Sequence, residues 1–585
     1  MAAIFGTVAV ATAMFAFLTG LPSIAQAGLW GVSAYAAGIS MDRFGLNFWA
    51  SFLVAIAASV IVAIPAALVA LRTRGNAFLI VTLAFSEFIV LILANAEGLT
   101  GGFSGLSFLD NPPSIGPLDF SSPLSQYYVY LAVLAVAIGV YWMVRRSSFG
   151  QRVQAVRDNE NLASSVSIVT GLHRVTLFLL SAAVTGLAGP LILLQQRVIT
   201  PGLFSTDVFL SVYLMIMLGG IATIAGPAVG AWVVQGLPEW IGSVAGIGPN
   251  AQRLLYGLLL LFFVLVARNG VMGQLSILYR TRILGVPALS SIRTTRDRAP
   301  RLRDAPALPR ADQPAAPVLV GKDLPEEIVL DVRNLSHSFG ANLVLDDLSF
   351  ELRRGEIRGL IGPNGSGKTT TLNLISGFIP SNSGQVLFRG SSIGGRRLEK
   401  VSGMGLVRTF QQPEVFRTFT ARQTCAMVMN SLGSLGGGRT FNPDLPDDPE
   451  FYLELCALTE VADELPGNLS YGHTRLLGVA AALARRPHVL LLDEPAAGLS
   501  TVDRGRLANA ILGARDGGVS VVIVDHDMSF LLPLCHRLTV LDYGRKIAEG
   551  APDAVTVNPE VIAAYLGSGF AQKYADERRT EEAND

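Results

Sequence analysis

The chain of 585 residues is long enough for several domains, because one domain usually takes roughly 100 to 200 residues. Its formal net charge is zero, so the chain has no basic excess of the kind that binds nucleic acid. The three cysteines, Cys425, Cys456 and Cys535, lack the paired spacing of a zinc site or a redox motif, and we interpret them as buried thiols.

Residues 1–272 predict an all-α polytopic membrane domain with about eight or nine spans. Apolar runs of about 17 to 25 residues cross a bilayer as helices, because a helix satisfies its own backbone hydrogen bonds. A soluble domain of buried helices is disfavoured, since these segments lack polar faces. A cleaved signal peptide at the start is also disfavoured, since MAAIFGTVAV has no positive charge. The candidate spans are approximately 4–19, 24–40, 47–71, 77–96, 126–144, 176–196, 207–219, 226–237 and 253–267.

The distribution of arginine predicts which loops face the cytoplasm. Arg72 and Arg74 flank one short loop, more arginines lie in the 145–175 loop, and others follow the last span. Basic loops stay inside, so these three regions are predicted to be cytoplasmic and the loop 97–125 to lie outside. Nine spans would place the N-terminus outside, and eight would place it inside.

Glu87 is an ionisable residue within one of the apolar spans. Such a group is costly in a bilayer and usually faces a partner or a water-filled path. The sequence leaves open whether Glu87 serves the pathway or its gate, or packs against polar groups of a neighbouring helix.

The second half begins with an Arg-, Pro- and Ala-rich segment, 273–327, which predicts a flexible linker. Residues 328–568 then predict an α/β nucleotide-binding domain, followed by a charged tail at 569–585. In GLIGPNGSGKTTTLNLISG, glycines allow backbone N–H groups to surround phosphates, Lys368 reaches the β/γ oxygens and Thr369 ligates Mg²⁺. The predicted nucleotide-binding residues of this loop are Gly362, Pro363, Asn364, Gly365, Ser366, Gly367, Lys368, Thr369 and Thr370.

Two carboxylates end the apolar run VLLLDEP. Asp493 suits the binding of Mg²⁺, and Glu494 suits polarisation of an attacking water. An ordinary acidic turn after a strand is the alternative, which the phosphate loop upstream disfavours.

The segment NLSYGHTRLLGVAAALARRPHVLLLDEPAAGLS closely resembles the signature region of ATP-binding cassette (ABC) ATPases. The resemblance implies an ABC-type P-loop fold with a helical subdomain, and it implies roles for further residues. Phe339 would stack on adenine, and His526 would be the switch histidine. Gln411 would sense the γ-phosphate and contribute to the metal site and to catalysis. Ser470 and Gly472 would bind ATP held by a second ATPase domain, and Ser500 and Asp503 would lie in the loop after Glu494.

Both halves resemble one transport system. Segments such as AGLWGVSAYAAG and LMIMLGGIATIAGPAVGA are similar to permeases of the branched-chain amino acid importer family. The motif RTFQ, the YG signature and the closing IAEGAPDAVTVNPEVIAAYLG are similar to that family's ATP-binding subunit. The resemblance implies a fusion of two usually separate subunits. It also implies a second permease, a second ABC ATPase, an extracytoplasmic solute-binding protein, a bacterial inner-membrane location, and ATP with Mg²⁺.

The segment 152–168 resembles the cytoplasmic coupling helix, which would dock near Gln411; a solvated loop helix is the alternative. The outer loop 97–125 could face the solute-binding protein. Two features depart from the family pattern: His473 stands where glutamine is usual, and the region 430–450 is short and Gly-rich.

The sequence therefore predicts an ATP-hydrolysing importer subunit, embedded in lipid, for branched-chain or related amino acids or amides. An ABC exporter half-transporter and a membrane-anchored regulatory ATPase without transport remain as alternatives. The sequence shows no charged pocket from which the solute could be identified.

Overall fold

The computed structural model describes residues 1–70, 73, 75–107, 120, 122–245, 325–430 and 441–566. The chain forms two compact units. Of the described residues, 1–157 and 170–245 belong to the first unit, whereas 158–169 and those from 325 onward belong to the second. The predicted ninth span, nearly all of the predicted linker and the tail 569–585 lie outside the described residues.

The first unit is helical, apart from two short paired strands. Its helices are α1 Ala2–Thr19, α2 Ala25–Phe44, α3 Phe48–Ala70, α4 Asn76–Asn95, α5 Glu97–Thr100, α6 Pro123–Arg146, α7 Ser148–Asp158 (whose last residue belongs to the second unit), α9 Thr170–Gly186, α10 Ala188–Gln196, α11 Thr206–Gly219 and α12 Gly226–Ala245. The strands are β1 Leu106–Ser107 and β2 Val198–Ile199, which pair antiparallel.

Six helical segments in the described part of the chain are long and apolar enough to cross a membrane. They are Ala2–Thr19, Phe48–Val69, Ala77–Asn95, Pro123–Arg146, Thr170–Gln196 and Pro201–Gly219. The predicted spans 24–40 and 226–237 are also helical, within α2 and α12, but fall short of that apolar character. A helical membrane domain is thus confirmed, and the total of eight or nine spans stays a prediction.

Helix α1 lies in the centre of the first unit, where it packs against α6, α9, α11 and α12. Nearly all of its residues are buried, including small ones that let neighbouring helices approach closely. Trp30 of α2 contacts the rings of Phe5 and Phe204 edge-to-face, with centroids 5.2 and 5.3 Å away. This packing explains why α1 has no polar face.

The second unit contains two sheets. Its strands are β3 Ile328–Phe339, β4 Asn342–Arg353, β5 Ile357–Ile361, β6 Ser383–Phe388, β7 Ser391–Ser392, β8 Leu406–Arg408, β9 Val489–Asp493, β10 Ser520–Val524, β11 Arg537–Asp542 and β12 Arg545–Gly550. One sheet has the order β12-β11-β5-β10-β9-β8 and the other the order β4-β3-β6-β7. The first is parallel except for β12, and the second is antiparallel.

Strands β5, β9 and β10 are buried along their whole length. They consist mostly of Val, Leu and Ile, because a parallel strand covered on both faces has no solvent-facing positions. Their carboxyl ends lie at one edge of the sheet, which brings the loops after β5 and β9 together.

Helices complete the second unit. They are α8 Glu160–Ser165, α13 Lys368–Ile375, α14 Leu398–Gly403, α15 Ala421–Asn430, α16 Pro449–Leu455, α17 Tyr471–Ala484, α18 Thr501–Asp516, α19 Met528–Leu531, α20 Pro552–Thr556 and α21 Pro559–Leu566. Helices α15, α16 and α17 pack on one another as a helical subdomain. The α/β fold with a helical subdomain is as predicted.

Candidate nucleotide-binding and coupling site

The phosphate loop connects β5 to α13 and requires its glycines. Gly362, Gly365 and Gly367 have φ values of +151°, +83° and +99°, in the region that L side chains rarely adopt. A Cβ on Gly362 would lie 2.1 Å from the Leu541 carbonyl oxygen, so a side chain would displace the loop. The loop can therefore keep its curled backbone, which suits it to phosphate.

Polar groups of this loop fit a bound nucleotide. Lys368 Nζ donates to the carbonyl oxygens of Gly362 and Pro363, both at 2.8 Å, so the ammonium lies over the loop. Burial lowers the pKa of Lys368, although Glu494 and Asp493 oppose this effect. Ser366 Oγ is buried and has no hydrogen-bond partner among the described residues. Phosphate oxygens would accept a hydrogen bond from this unpaired hydroxyl and would also pair with the nearby ammonium of Lys368.

Asp493 is the last residue of β9, and its carboxylate lies beside Thr369 in the first turn of α13. Its Oδ1 accepts a 3.4 Å hydrogen bond from Thr369 Oγ1. Burial raises the pKa of Asp493, an effect that Arg408 opposes. One hydroxyl and one carboxylate suit Mg²⁺, which usually takes its other ligands from water and substrate phosphates. Two of the three predicted metal ligands, Thr369 and Asp493, are thus compatible with that ion. The side-chain amide of the third, Gln411, donates to Glu494 instead.

Arg408 is a buried cation that our sequence interpretation missed. It lies at the end of β8, is 3% exposed, and places its NH2 group 2.9 Å from Asp493 Oδ2. It also donates to Asn373 Oδ1 on α13. The position of Arg408 in the RTFQ motif was a possible signal of a role in the site. Its partner, Asp493, could not be predicted because it lies 85 positions away in the chain.

Gln411 and Glu494 are adjacent, although they are far apart in sequence. Gln411 Nε2 donates a 2.9 Å hydrogen bond to Glu494 Oε2. Glu494 has φ +45°, a left-handed conformation for a residue that has a side chain. Its backbone N–H donates to the Val524 carbonyl oxygen at 2.7 Å, which helps to hold that conformation.

Arg475 is a second buried cation that the sequence interpretation missed. It projects from α17 and is 4% exposed. Its guanidinium donates to the carbonyl oxygens of Phe410 and Gln411 in one loop, and of Glu494 and Pro495 in another. Burial lowers the pKa of Arg475, whereas nearby acidic groups raise it.

The predicted signature residues lie at the start of α17. Ser470 Oγ accepts from the backbone N–H of His473 at 3.1 Å and so caps the helix. A Cβ on Gly472 would lie 2.4 Å from Asp503 Oδ2, so a side chain here would have to displace the Asp503 carboxylate. No described contact joins Ser470 or Gly472 to this chain's own phosphate loop.

The other predicted residues lie in separate segments of the second unit. The imidazole of His526 is 67% exposed, and its Nδ1 is 3.7 Å from Asp525 Oδ1. Ser500 Oγ accepts from the backbone N–H of Asp503 and so caps α18, and the Ser500 hydroxyl donates to Asp503 Oδ2. The remaining predicted binding residues, Asn364 and Thr370, lie in the loop and in the first turn of α13.

Phe339 ends β3 with 54% of its surface exposed, which leaves the ring available for stacking on a base. His337 contacts it edge-to-face, with ring centroids 4.7 Å apart. His337 is buried, and neither of its ring nitrogens has a partner among the described residues. The sequence interpretation did not single out His337.

The predicted coupling segment belongs to the second unit over residues 158–169. Asp158 Oδ2 accepts from both the backbone N–H and the hydroxyl of Thr418, at 2.8 and 2.6 Å. Asn161 Nδ2 donates to Glu414 Oε1 at 3.4 Å, and burial raises the pKa of Glu414. Both partners lie in the loop that follows Gln411. The segment thus lies in the predicted neighbourhood.

A second set of contacts joins this segment to α14 and to the end of α17. Arg485 donates to Ser167 Oγ at 3.0 and 3.1 Å, and Ser402 Oγ donates to the Ser165 carbonyl oxygen at 2.5 Å. Burial lowers the pKa of Arg485 to about 10. The sequence offered no signal for these contacts.

In the first unit, Glu87 lies on the exposed side of α4. It is near the middle of the span Ala77–Asn95, and its Oε1 accepts from Thr206 Oγ1. Thr206 is the first residue of α11, which has only 14 residues and follows a short 3-10 helix, Pro201–Phe204. Of the loop 97–125, the structure describes residues 97–107, 120 and 122–125, and the contact of this loop with a binding protein stays a prediction.

Comparison with known proteins assigns a family to each part of the chain. Residues 1–264 match the branched-chain amino acid transport system permease component, and residues 345–497 match the ABC transporter family. Residues 545–571 match the branched-chain amino acid ATP-binding cassette transporter. The ATP-binding protein LivG of Salmonella typhimurium, of high-affinity branched-chain amino acid transport, is 33% identical over 249 residues, which cover 41% of this chain and 98% of LivG.

The chain belongs to the branched-chain amino acid family of ABC transporters. This transporter is a fusion of a membrane permease domain with an ABC ATPase domain that couples ATP hydrolysis to transport. It is a multi-pass membrane protein.

Two further relatives and one solved structure align with the ATPase domain of this transporter. BraF of Pseudomonas aeruginosa, of high-affinity branched-chain amino acid transport, is 33% identical and covers 41% of this chain and 98% of its own. LptB of Escherichia coli, of a lipopolysaccharide export system, is 30% identical with the same two coverages. An ABC transporter cassette solved in its ADP conformation is 28% identical, with 41% of this chain and 99% of that chain covered and a TM-score of 0.36.

Proposed function

We propose that this transporter imports branched-chain or related amino acids or amides, delivered by an extracytoplasmic solute-binding protein. The observation that carries the proposal is the permease match over residues 1–264, found in the same chain as a matching ATP-binding cassette. The names of LivG and BraF support the same solute class. The chain would lie in the bacterial inner membrane with its ATPase domain in the cytoplasm, as the arginine-rich loops predict.

ATP hydrolysis would use the residues that meet at the carboxyl ends of β5 and β9. ATP supplies the phosphates that the loop of Lys368 would hold, and Mg²⁺ would neutralise charge between them and Asp493. Glu494 would polarise the attacking water, with Gln411 orienting its carboxylate through the 2.9 Å hydrogen bond. Phe339 would stack on adenine, and His526 would approach the reacting phosphate on closure.

A complete transporter would contain two such ATPase domains and two permease domains. The position of Ser470 and Gly472 at a helix start, without described contacts to their own phosphate loop, supports the use of these groups on a second ATPase. A second permease subunit and a second ABC ATPase from other chains are therefore proposed partners.

Solute movement would follow from docking of the segment 158–169. ATP-driven closure would displace the loop that holds Asp158 and Asn161, and so bias the permease between two arrangements. Glu87 is a proposed part of the solute path, because a carboxylate near mid-membrane needs water or a polar partner. Its carboxylate would complement the ammonium group of an amino acid.

Uptake of radiolabelled amino acids into proteoliposomes, with and without the binding protein, tests the proposal. ATP-dependent accumulation that requires the binding protein is expected. Export is the second candidate, supported by the similarity of the cassette to LptB. Accumulation only in vesicles of the opposite orientation would favour export, and ATP hydrolysis with no solute movement would favour a regulatory ATPase.

A further inference from the structure

The cation of Arg475 has no assigned role in the nucleotide site described above, although it lies between two of its loops. The side chain is almost fully buried on a 14-residue helix whose first turn carries Ser470 and Gly472. Its acceptors are backbone carbonyl oxygens, so Arg475 acts on the path of the main chain. It bonds to no described side chain that takes part in the proposed hydrolysis.

The four acceptors belong to two loops that are distant in sequence. The carbonyl oxygens of Phe410 and Gln411 lie after β8, and those of Glu494 and Pro495 lie after β9. A guanidinium has five N–H donors in a planar fork, so it can bridge both loops at once. A lysine ammonium has one nitrogen and cannot span the same four oxygens.

The two side chains that these loops present also bond to each other. The Gln411 amide donates to the Glu494 carboxylate, and the backbone of each residue accepts from the same guanidinium. The separation of Gln411 from Glu494 therefore depends on Arg475 as well as on their own hydrogen bond.

The backbone conformation of Glu494 adds an independent reason for such a restraint. Its φ of +45° is unfavourable for a residue with a Cβ, and such conformations persist only where surrounding contacts hold them. The N–H of Glu494 is held by Val524 and its carbonyl oxygen by Arg475. Loss of the bond from Arg475 would let the Glu494 backbone relax, and the Glu494 carboxylate would then change its orientation.

We propose that Arg475 is a positioning residue for ATP hydrolysis, which holds the Gln411 and Glu494 loops together through their backbone carbonyl groups. The inference rests on ATP hydrolysis by this family and on the proposed roles of Gln411 and Glu494. It does not depend on which solute moves or in which direction. It predicts that Arg475 affects turnover much more than ATP affinity, because its bonds do not involve the phosphate loop.

The test uses the full-length chain, co-purified with its partner subunits in nanodiscs and assayed without solute. Arg475→Gln and Arg475→Lys are compared with Arg545→Lys, an exposed arginine that is paired with Asp346. ATP turnover gives kcat and KM, a fluorescent ATP analogue gives Kd, and calorimetry gives the melting temperature. We expect kcat to fall at least about tenfold in R475Q, since small misplacements of reacting groups cost up to about 100-fold.

The proposal predicts an ordered series. R475K should lose less turnover than R475Q, R545K should stay within about twofold of the wild type, and Kd should change less than about threefold in all three. If R475Q does not fold, a lower kcat with unchanged Kd in R475K supports the proposal. An unchanged kcat in R475K would overturn the proposal. A combined fall in kcat, ATP affinity and melting temperature would also overturn it. Failure of solute uptake alone would bear only on the import proposal.

Discussion

Replacing Arg408 with methionine should destabilise β8 and β9, the strands that carry Arg408 and Asp493. The substitution removes a cation that is 3% exposed and leaves a carboxylate that is 1% exposed without its ion-pair partner. Breaking a buried ion pair from one side costs about 3–5 kcal/mol, because the remaining charge is neither paired nor solvated. The same change at Arg545, which is 73% exposed, should cost less than about 1 kcal/mol and serves as the control.

Hydrogen exchange of the β8 and β9 amides in the full-length protein measures this cost. Intrinsic fluorescence is unsuitable, since all five tryptophans lie within the first 240 residues. A loss of about 3–5 kcal/mol in the free energy of opening should accelerate the slowest amides roughly 10²- to 10⁴-fold, because each 1.4 kcal/mol is about a factor of ten.

The pH dependence of this loss has a definite sign. Burial raises the pKa of Asp493, and Arg408 opposes that rise, so removing Arg408 should raise the pKa further. A carboxyl whose pKa is higher in the folded state stabilises the fold at low pH and loses this contribution as the pH rises through that value. The cost of R408M should therefore shrink on acidification. Equal exchange rates in R408M and R545M, or a difference that does not change with pH, would refute the reasoning.

Four further substitutions have expected outcomes. Glu494→Gln should lower single-turnover hydrolysis about 10²- to 10⁴-fold with ATP binding retained in a filter assay, and a smaller loss would remove Glu494 from the proposed chemistry. Gly362→Ala should abolish ATP binding, because its Cβ would meet the Leu541 carbonyl oxygen at 2.1 Å. Gly365→Ala should lower the free energy of unfolding by only about 1–2 kcal/mol in calorimetry, since its Cβ would enter open space and only the φ of +83° is unfavourable. Equal effects of the two alanine substitutions would contradict this reasoning. Glu87→Gln keeps an acceptor for Thr206 but removes the charge, so amino acid uptake should fall at least about tenfold with ATP turnover retained; full uptake would assign Glu87 to packing.

Much of the fold could be predicted because it depends on local patterns in the sequence. Long apolar runs without charge predict membrane helices, and short runs of Val, Leu and Ile before Gly362 and after His488 predict buried parallel strands. The phosphate loop and the pair Asp493–Glu494 have fixed local spacing, so they could be placed from sequence. The number of spans could not be decided in the same way, because α2 and α12 are only moderately apolar.

The partners of buried arginines could not be predicted. Arg408 meets Asp493, Arg475 meets the Gln411 loop, and Arg485 meets Ser167, across 85, 64 and 318 positions of the chain. In sequence, each looks like an ordinary polar residue at the end of a strand or within a helix. Arg408 stands in the RTFQ motif, but no local pattern shows that any of the three side chains is buried, and solvated arginines are far more common.

By itself the sequence determined the chemical inventory of this transporter: apolar spans, a phosphate loop, two carboxylates after a strand, and a signature turn. Only the tertiary structure decided which groups meet. It brought Gln411 to Glu494, buried Arg408 against Asp493, and placed Arg475 between the loops that follow β8 and β9. It also grouped the segment 158–169 with the ATPase rather than with the helices that flank it. The physical reason is that helix and strand formation depend on neighbours in the chain. Ion pairs and backbone clamps depend on which strands and helices pack together in space.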